Sequence, residues 1–321
     1  MNTQDSPSPS NPTQFHDPWF IAVWPGMGGV AANAGVYLLS KLEMTMIGEF
    51  DASGLFDVDQ VMVEAGIIQP PRRPQNRFFA WKDPAAKRDL IVFLGEAQPP
   101  AGKHAFCKQL STLARGFGAT RVFTFAAMAT DMRPDRASRV FAASTGEQEL
   151  LELKGHGLEA LESGHIGGLN GILPAVAAEL GLAGACLLGE MPHIFSRLPY
   201  PKASLAILDA FCRISGFVLD LAELREQARA VDDRLGALWE QLQEAYRGQH
   251  GEESQEETFA PEQPEELLEA ADKQRIEALF EKAAGDRSKA FELKQELDRL
   301  GVFKEYEDRF LDLFKRNGSE P

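Results

Sequence analysis

Residues 24–35 read WPGMGGVAANAG, and Gly26, Gly28 and Ala31 stand in G-x-G-x-x-A spacing. Glycines so placed let backbone N–H groups approach a pyrophosphate at a helix start, where the helix dipole also favours an anion. Gly29 adds a further small residue to the turn. Glu49 and Asp51 follow about 20 residues on, where a dinucleotide-binding chain carries its ribose-binding carboxylate. This pattern would bind a nucleotide or nucleoside phosphate. The same residues suit a different purpose, because Val30, Ala31, Ala32, Ala34 and Gly35 would form a flat helix face pressed on a sheet.

A second segment, SGHIGGLNGILPAVAAELGL (163–182), repeats the arrangement of glycines before a small apolar helix. Gly167, Gly168 and Asn170 are its candidates for holding an anion such as phosphate. Close helix–sheet contact is again the competing explanation. Acid–base chemistry has fewer candidates. Glu96 ends the apolar run DLIVFLGE (89–96), and Glu190 ends GACLLGE (184–190). Carboxyl ends of parallel strands open onto ligand crevices, and His193 and Asp131 could join these acids in a proton-transferring set. A strand-end carboxylate also serves as a cap or a surface charge. The chain has no GxSxG elbow, no P-loop and no HExxH pair. No metal and no cofactor is therefore expected. Cys107, Cys186 and Cys212 lie in apolar company without CxxC spacing, which reads as small buried hydrophobes.

The elements that would position these residues follow from hydropathy patterning. WFIAVW (19–24) fits a buried strand, Gly29–Leu42 a helix and TMIGEF (45–50) a second strand, so a βαβ unit with a right-handed crossover is expected. QVMVEAGI (60–67), RFFAW (77–81), residues 89–96, TRVFTFAA (120–127), RVFAAST (139–145) and residues 184–190 read as strands. Lys103–Gly116, Gly168–Leu180 and Ala203–Ile214 read as helices. Alternation of this kind predicts an α/β three-layer sandwich around a mostly parallel or mixed sheet.

Residues 1–15 read as a disordered tail, rich in proline and serine. Residues 16–247 form the expected α/β core, ending in an amphipathic helix over 221–247 whose stripe is Leu224, Ala228, Val231, Leu235, Leu238 and Leu242. Residues 248–264 read as an acidic linker, and 265–321 as a small helical segment. Candidates for that segment's core are Leu267, Leu268, Ile276, Leu279, Phe280, Phe291, Leu293, Leu297, Phe303, Tyr306, Phe310, Leu313 and Phe314. Net charge is −15, and residues 249–321 carry 20 acids against 11 bases. With no basic patch, neither a nucleic acid nor an anionic membrane is an expected partner. The polar start at residues 1–13 and the lack of a long apolar run predict a cytoplasmic protein.

Taken in order, several of these segments resemble one family. PWFIAVWPGMGGVAANAGVYLLSKL (18–42) is similar to the opening of the proteasome assembly chaperone family. LIVFLGEAQP (90–99), TFAAM (124–128), GHIGGLNGILPAVAAELGLAGACLLGEMP (164–192) and PYPKASLAILDAFCRISGFVLDLAELREQA (199–228) continue the resemblance. It implies a fold like that of nucleoside phosphorylases and related hydrolases, a homo-oligomer, and protein partners, without an established catalytic centre. The expected function is thus protein binding of an assembly-chaperone kind. The alternative is an enzyme that binds a nucleotide or nucleoside phosphate at the 26–31 turn.

Overall fold

A run of wholly apolar residues needs cover on both faces, so such strands belong at the centre of a layered sheet. The computed structural model describes residues 15–57, 61–85, 87–250 and 270–285, with scattered positions from 289 to 313. It divides into two units, residues 1–255 and 256–321. In the first unit the order is β1 (Trp19–Val23), α1 (Val30–Lys41), β2 (Thr45–Glu49), β3 (Val63–Glu64), β4 (Ile67–Ile68), β5 (Asn76–Trp81), β6 (Leu90–Gly95), α2 (Lys103–Gly116) and β7 (Arg121–Thr130). Then come β8 (Val140–Ser144), α3 (Glu147–Gly155), β9 (Glu159–Ala160), α4 (Leu169–Glu179), β10 (Ala183–Pro192), α5 (Pro201–Ser215) and α6 (Ala222–His250).

Eight strands form one mixed sheet in the order β2-β5-β6-β1-β7-β10-β8-β9. The four central strands, β6, β1, β7 and β10, are parallel. These are the most continuously apolar segments, and every residue of β1 is buried. Side chains alternate between two cores. Trp19, Ile21 and Val23 pack with Val30, Leu38, Phe211 and Leu224, on the face carrying α1, α5 and α6. Phe20, Ala22 and Trp24 pack with Phe106, Leu110, Leu169 and Leu173, on the face carrying α2 and α4. The result is the expected three-layer α/β arrangement.

Two expectations change, and one helix was not foreseen. The strand after α1 does not lie beside β1. β2 pairs antiparallel with β5 at the outer edge, because its exposed Thr45 and Met46 suit a half-wet edge while the wholly apolar β6 takes the inner place. Residues 60–67 are not one strand. Ala65 and Gly66 take φ of 49° and 81°, the two left-handed steps of a type I′ turn, and fold the segment into the β3–β4 hairpin. Residues Glu147–Gly155 form α3, which weak apolar periodicity hides, since only Leu153 is buried.

The amphipathic helix is α6, and its own domain covers the first part of its stripe. Leu224, Ala228 and Leu235 are buried, while Leu238 is 39% exposed and the ring of Trp239 packs in its stead. The side chain of Leu242 lies outside the described residues. Tyr37 on α1 fixes where α6 begins: its hydroxyl donates to the Asp220 carbonyl at 2.8 Å and accepts from the Leu224 N–H at 3.4 Å. That N–H belongs to the first helical turn and has no partner within the helix. Tyr37→Phe is expected to cost about 1 kcal/mol in urea denaturation.

The second unit contains α7 (Ala270–Gly285). Ile276, Leu279, Phe280, Ala283, Leu293, Leu297 and Val302 form its core, with Tyr306, Phe310 and Leu313 packed alongside. Of the expected core residues, Leu267, Leu268, Phe291, Phe303 and Phe314 lie outside the described residues. Arg309 grips Glu277 through both guanidinium nitrogens at 2.6 Å and lies over the Phe280 ring.

Candidate functional site: the carboxyl edge of the parallel strands

Because β1, β6, β7 and β10 run the same way, their last residues and the turns after them gather along one edge of the sheet. All the glycine and acid–base candidates lie along it, Glu49 and Asp51 included, because β2 pairs antiparallel with β5 and β5 with β6, so that β2 runs the same way as β6. Glu49 and Asp51 nevertheless stand at the far end of that edge. β2 is separated from β1 by two strands, roughly 14 Å at ordinary strand spacing, and Asp51 instead caps Ser53 N–H at 2.9 Å.

The 26–31 turn is held from inside the chain. Gly28 and Gly29 have φ of 61° and 63°, the left-handed region that side chains disfavour. The Gly28 N–H donates to Ser196 O at 3.0 Å, Tyr200 N–H donates to Gly28 O at 2.9 Å, and Gly29 N–H donates to Gly26 O at 3.0 Å. A Cβ on Gly28 would sit 2.8 Å from Met191 Sδ and 3.3 Å from Tyr200 Cβ. Met191 and Tyr200 are both fully buried. The inner side of the turn is therefore filled with side chains, and the Gly28 and Gly29 N–H groups are engaged. Gly26 has open space around it.

The second glycine segment opens α4. Gly168, with φ of 71°, precedes Leu169, whose N–H donates to Gln98 Oε1 at 2.9 Å. Asn170 is buried, and its carbonyl accepts from Thr124 Oγ1 at 2.6 Å. Gly167 faces open space. Downstream, Gly171, Ile172, Ala175 and Val176 of α4 face Leu161–Ile166 across an open groove of about 580 Å³, with Glu162, Glu179 and His104 at its rim.

The acid candidates separate. Glu96 accepts from Arg72 Nη2 at 2.9 Å and from the Gln75 N–H at 3.0 Å, which ties the proline-rich 69–75 segment to the end of β6. Glu190, His193 and Asp131 come together around Thr130, the last residue of β7. Thr130 Oγ1 donates to Glu190 Oε1 at 2.8 Å, and its carbonyl lies 3.3 Å from His193 Nδ1. Asp131 Oδ1 is 3.4 Å from the same ring nitrogen. Glu190 is only 2% exposed. Burial alone would raise its pKa, but hydrogen bonds from Arg139 and Thr130 outweigh burial and hold the carboxyl below its usual range. Arg139 donates Nε to Oε2 at 2.8 Å and Nη2 to Oε1 at 2.6 Å.

Arg139 and Thr130 escaped the sequence reading. The signal was antiparallel pairing of β8 with β10, where Gly189↔Val140 sets Arg139 opposite Glu190. Nearby, Lys202 pairs with Asp232 of α6 at 2.8 Å and donates to the Pro134 carbonyl at 2.7 Å. Burial, followed by the Asp232 charge, raises the Tyr200 hydroxyl pKa. Two ion pairs, Arg139–Glu190 and Lys202–Asp232, brace this edge. Among the described residues no group of three His, Cys, Asp or Glu is placed to hold a metal ion. Burial pushes the Cys107 and Cys186 thiols up to about 12 and Cys212 up to about 11. Native chain is thus expected to react slowly with a thiol reagent at pH 8, and all three thiols to react promptly in denaturant.

The sequence and the fold match a known group of proteins. A family model for the PAC2 family matches residues 20–238. The chain belongs to the PAC2 family. Pyrococcus furiosus PbaB, an archaeal proteasome activator, is 26% identical, with a TM-score of 0.61 over 72% of this chain and 96% of that one. Pyrococcus furiosus PbaA, an archaeal homolog of proteasome-assembly chaperone, is 26% identical, with a TM-score of 0.56 over 74% of this chain and 93% of that one. An uncharacterized protein of Methanocaldococcus jannaschii is 27% identical over 158 residues, which span 48% of this chain and 58% of that relative. No helix among the described residues is long and apolar enough to cross a membrane.

Proposed function

We propose that this chain is a cytoplasmic, assembly-chaperone-like protein that binds other protein chains, associates with copies of itself and performs no catalysis. The observation that carries the reading is the likeness, over most of its length, to PbaA and PbaB, whose own descriptions concern proteasome assembly and activation. Site geometry supports it. In this reading Gly28 serves close packing of the turn before α1, Gly168 and Asn170 serve the packed start of α4, Gly26, Gly29 and Gly167 serve the turns that lead into those helices, and Glu96, Glu190 and His193 serve as braces. Surfaces rather than a pocket then carry the activity, and the partners are proteins, not nucleic acid or membrane.

The test is affinity purification of the full chain from its native cells, followed by reconstitution of the captured complex from purified parts. A protein complex of fixed stoichiometry is expected. A monomer with no protein partner would overturn the reading. So would thermal stabilisation by a nucleotide, or by a nucleoside with phosphate, worth more than about 1 kcal/mol of linkage.

A further inference from the structure

Gly171, Ala175 and Glu179 stand four residues apart on α4, so they form one line along the helix. At its start the line is sealed, because a Cβ on Gly171 would run into the Ile166 carbonyl oxygen. One turn on, exposed Ala175 leaves the groove of about 580 Å³ open. Leu161, Ile166 and Ile172 give it apolar sides, and Ile166 is anchored on the sheet against Ala126, Cys186 and Leu188. A second turn on, the line ends at Glu179, while Glu162 lines the groove from the 161–166 wall. Glu162 has no ion pair among the described residues. Glu179 meets only His104, at 3.9 Å, with the two side chains 62% and 65% exposed. None of the described lining residues is a lysine or an arginine.

We propose that this groove binds an extended segment of a partner protein, one that carries an aliphatic side chain with a lysine or arginine two residues away. This rests on the protein-binding reading above and assigns it a surface. Two features select that occupant. The first is charge and its spacing. An apolar trough rimmed by two acids and no base complements a ligand that is apolar and cationic. Ala175 and Glu179 are one helical turn apart, about 5.4 Å. Alternate side chains of an extended chain stand about 6.7 Å apart on one side. An aliphatic side chain seated over Ala175 therefore sets the next side chain on that side beside Glu179. The second feature is main chain. Residues 162–165 follow β9 outside any helix or strand, are exposed, and have no main-chain hydrogen bond among the described residues. Such a wall has N–H and C=O groups to pair with an extended chain, as in strand addition, which a small cation would leave unused.

Fluorescence anisotropy of the full chain with a dye-labelled Gly-Ser-Ile-Ser-Arg-Ser-Gly peptide tests the chemistry. Saturable binding is expected. Replacing the peptide's isoleucine by serine should weaken it about 30-fold, and replacing its arginine by glutamate about tenfold or more. Ala175→Trp fills the groove from an exposed position and should abolish binding with the circular dichroism unchanged. Glu162→Arg with Glu179→Arg should transfer the preference to the glutamate peptide, which a misfolded chain would not do. Binding that survives Ala175→Trp, or none at about 1 mM peptide, would overturn the groove. The complex captured from native cells separates this proposal from the protein-binding reading. Loss of that complex in Ala175→Trp supports the groove. Its persistence in Ala175→Trp overturns the groove and leaves protein binding on another surface. Its absence from the wild type overturns both.

Discussion

Arg139→Ala is expected to lower the stability of the α/β unit by about 3 kcal/mol at pH 7, because it strands a buried carboxylate. Glu190 is 2% exposed, and Arg139 supplies two of its hydrogen bonds. The guanidinium side chain is itself 53% exposed. Water entering the space it leaves would relieve part of the penalty, which sets the figure at the low end for broken buried pairs.

The pH dependence identifies the cause. In the wild type the folded-state pKa of Glu190 is depressed. Its stabilising contribution is therefore present above the unfolded value of about 4.3 and is lost as pH falls through the lower folded value. In Arg139→Ala, burial acts without the guanidinium, and the folded pKa rises above the unfolded one. The penalty then grows as pH climbs from about 4.3 and shrinks in acid. Urea denaturation should show the gap between the two proteins closing from pH 7 towards pH 4.5. A gap independent of pH would mean that Glu190 is not its source.

Gly28→Val is expected to cost about 4 kcal/mol. Holding a side chain in the left-handed region costs about 1–2 kcal/mol, and overpacking a full core adds about 1–3 kcal/mol. Met191's thioether end can swing away from the new Cβ, but Tyr200 Cβ at 3.3 Å is fixed by its own main chain. Branching at Cβ adds to the conflict, so Gly28→Ala should cost roughly half as much. Calorimetry of the two variants checks both size and order. A neutral Gly28→Val would mean that the turn is looser than its contacts with Met191 and Tyr200 require.

The strands of the parallel centre were legible because they are mostly apolar. WFIAV, LIVFLG and the VFTFA stretch of β7 announce burial on both faces without any knowledge of their neighbours. Strand order was not legible. Nothing local in TMIGEF reveals that it lies two strands away from β1, since that depends on which later segment competes for the inner place. Position 28 was recognisable as special, but its purpose was not. A glycine that meets a phosphate and a glycine that meets Met191 look alike until residues 191–200 are brought beside it. Glu190 and His193 could be listed from their place at a strand end, whereas Arg139 became visible only through the β8–β10 register.

The position of β1 sets the order of events during synthesis. β1 leaves the ribosome before β6 and β7, yet it is placed between them, and its turn is latched by Ser196 and Tyr200. At about 5–20 residues per second, on the order of 10–40 s separates translation of Trp19 from that of Tyr200. Throughout that interval the turn after this five-residue apolar strand lacks its latch, and the strand's α1 face lacks the cover that α5 later supplies. A protein proposed to guide the assembly of others thus completes its own glycine turn only when a segment about 170 residues further on has been made.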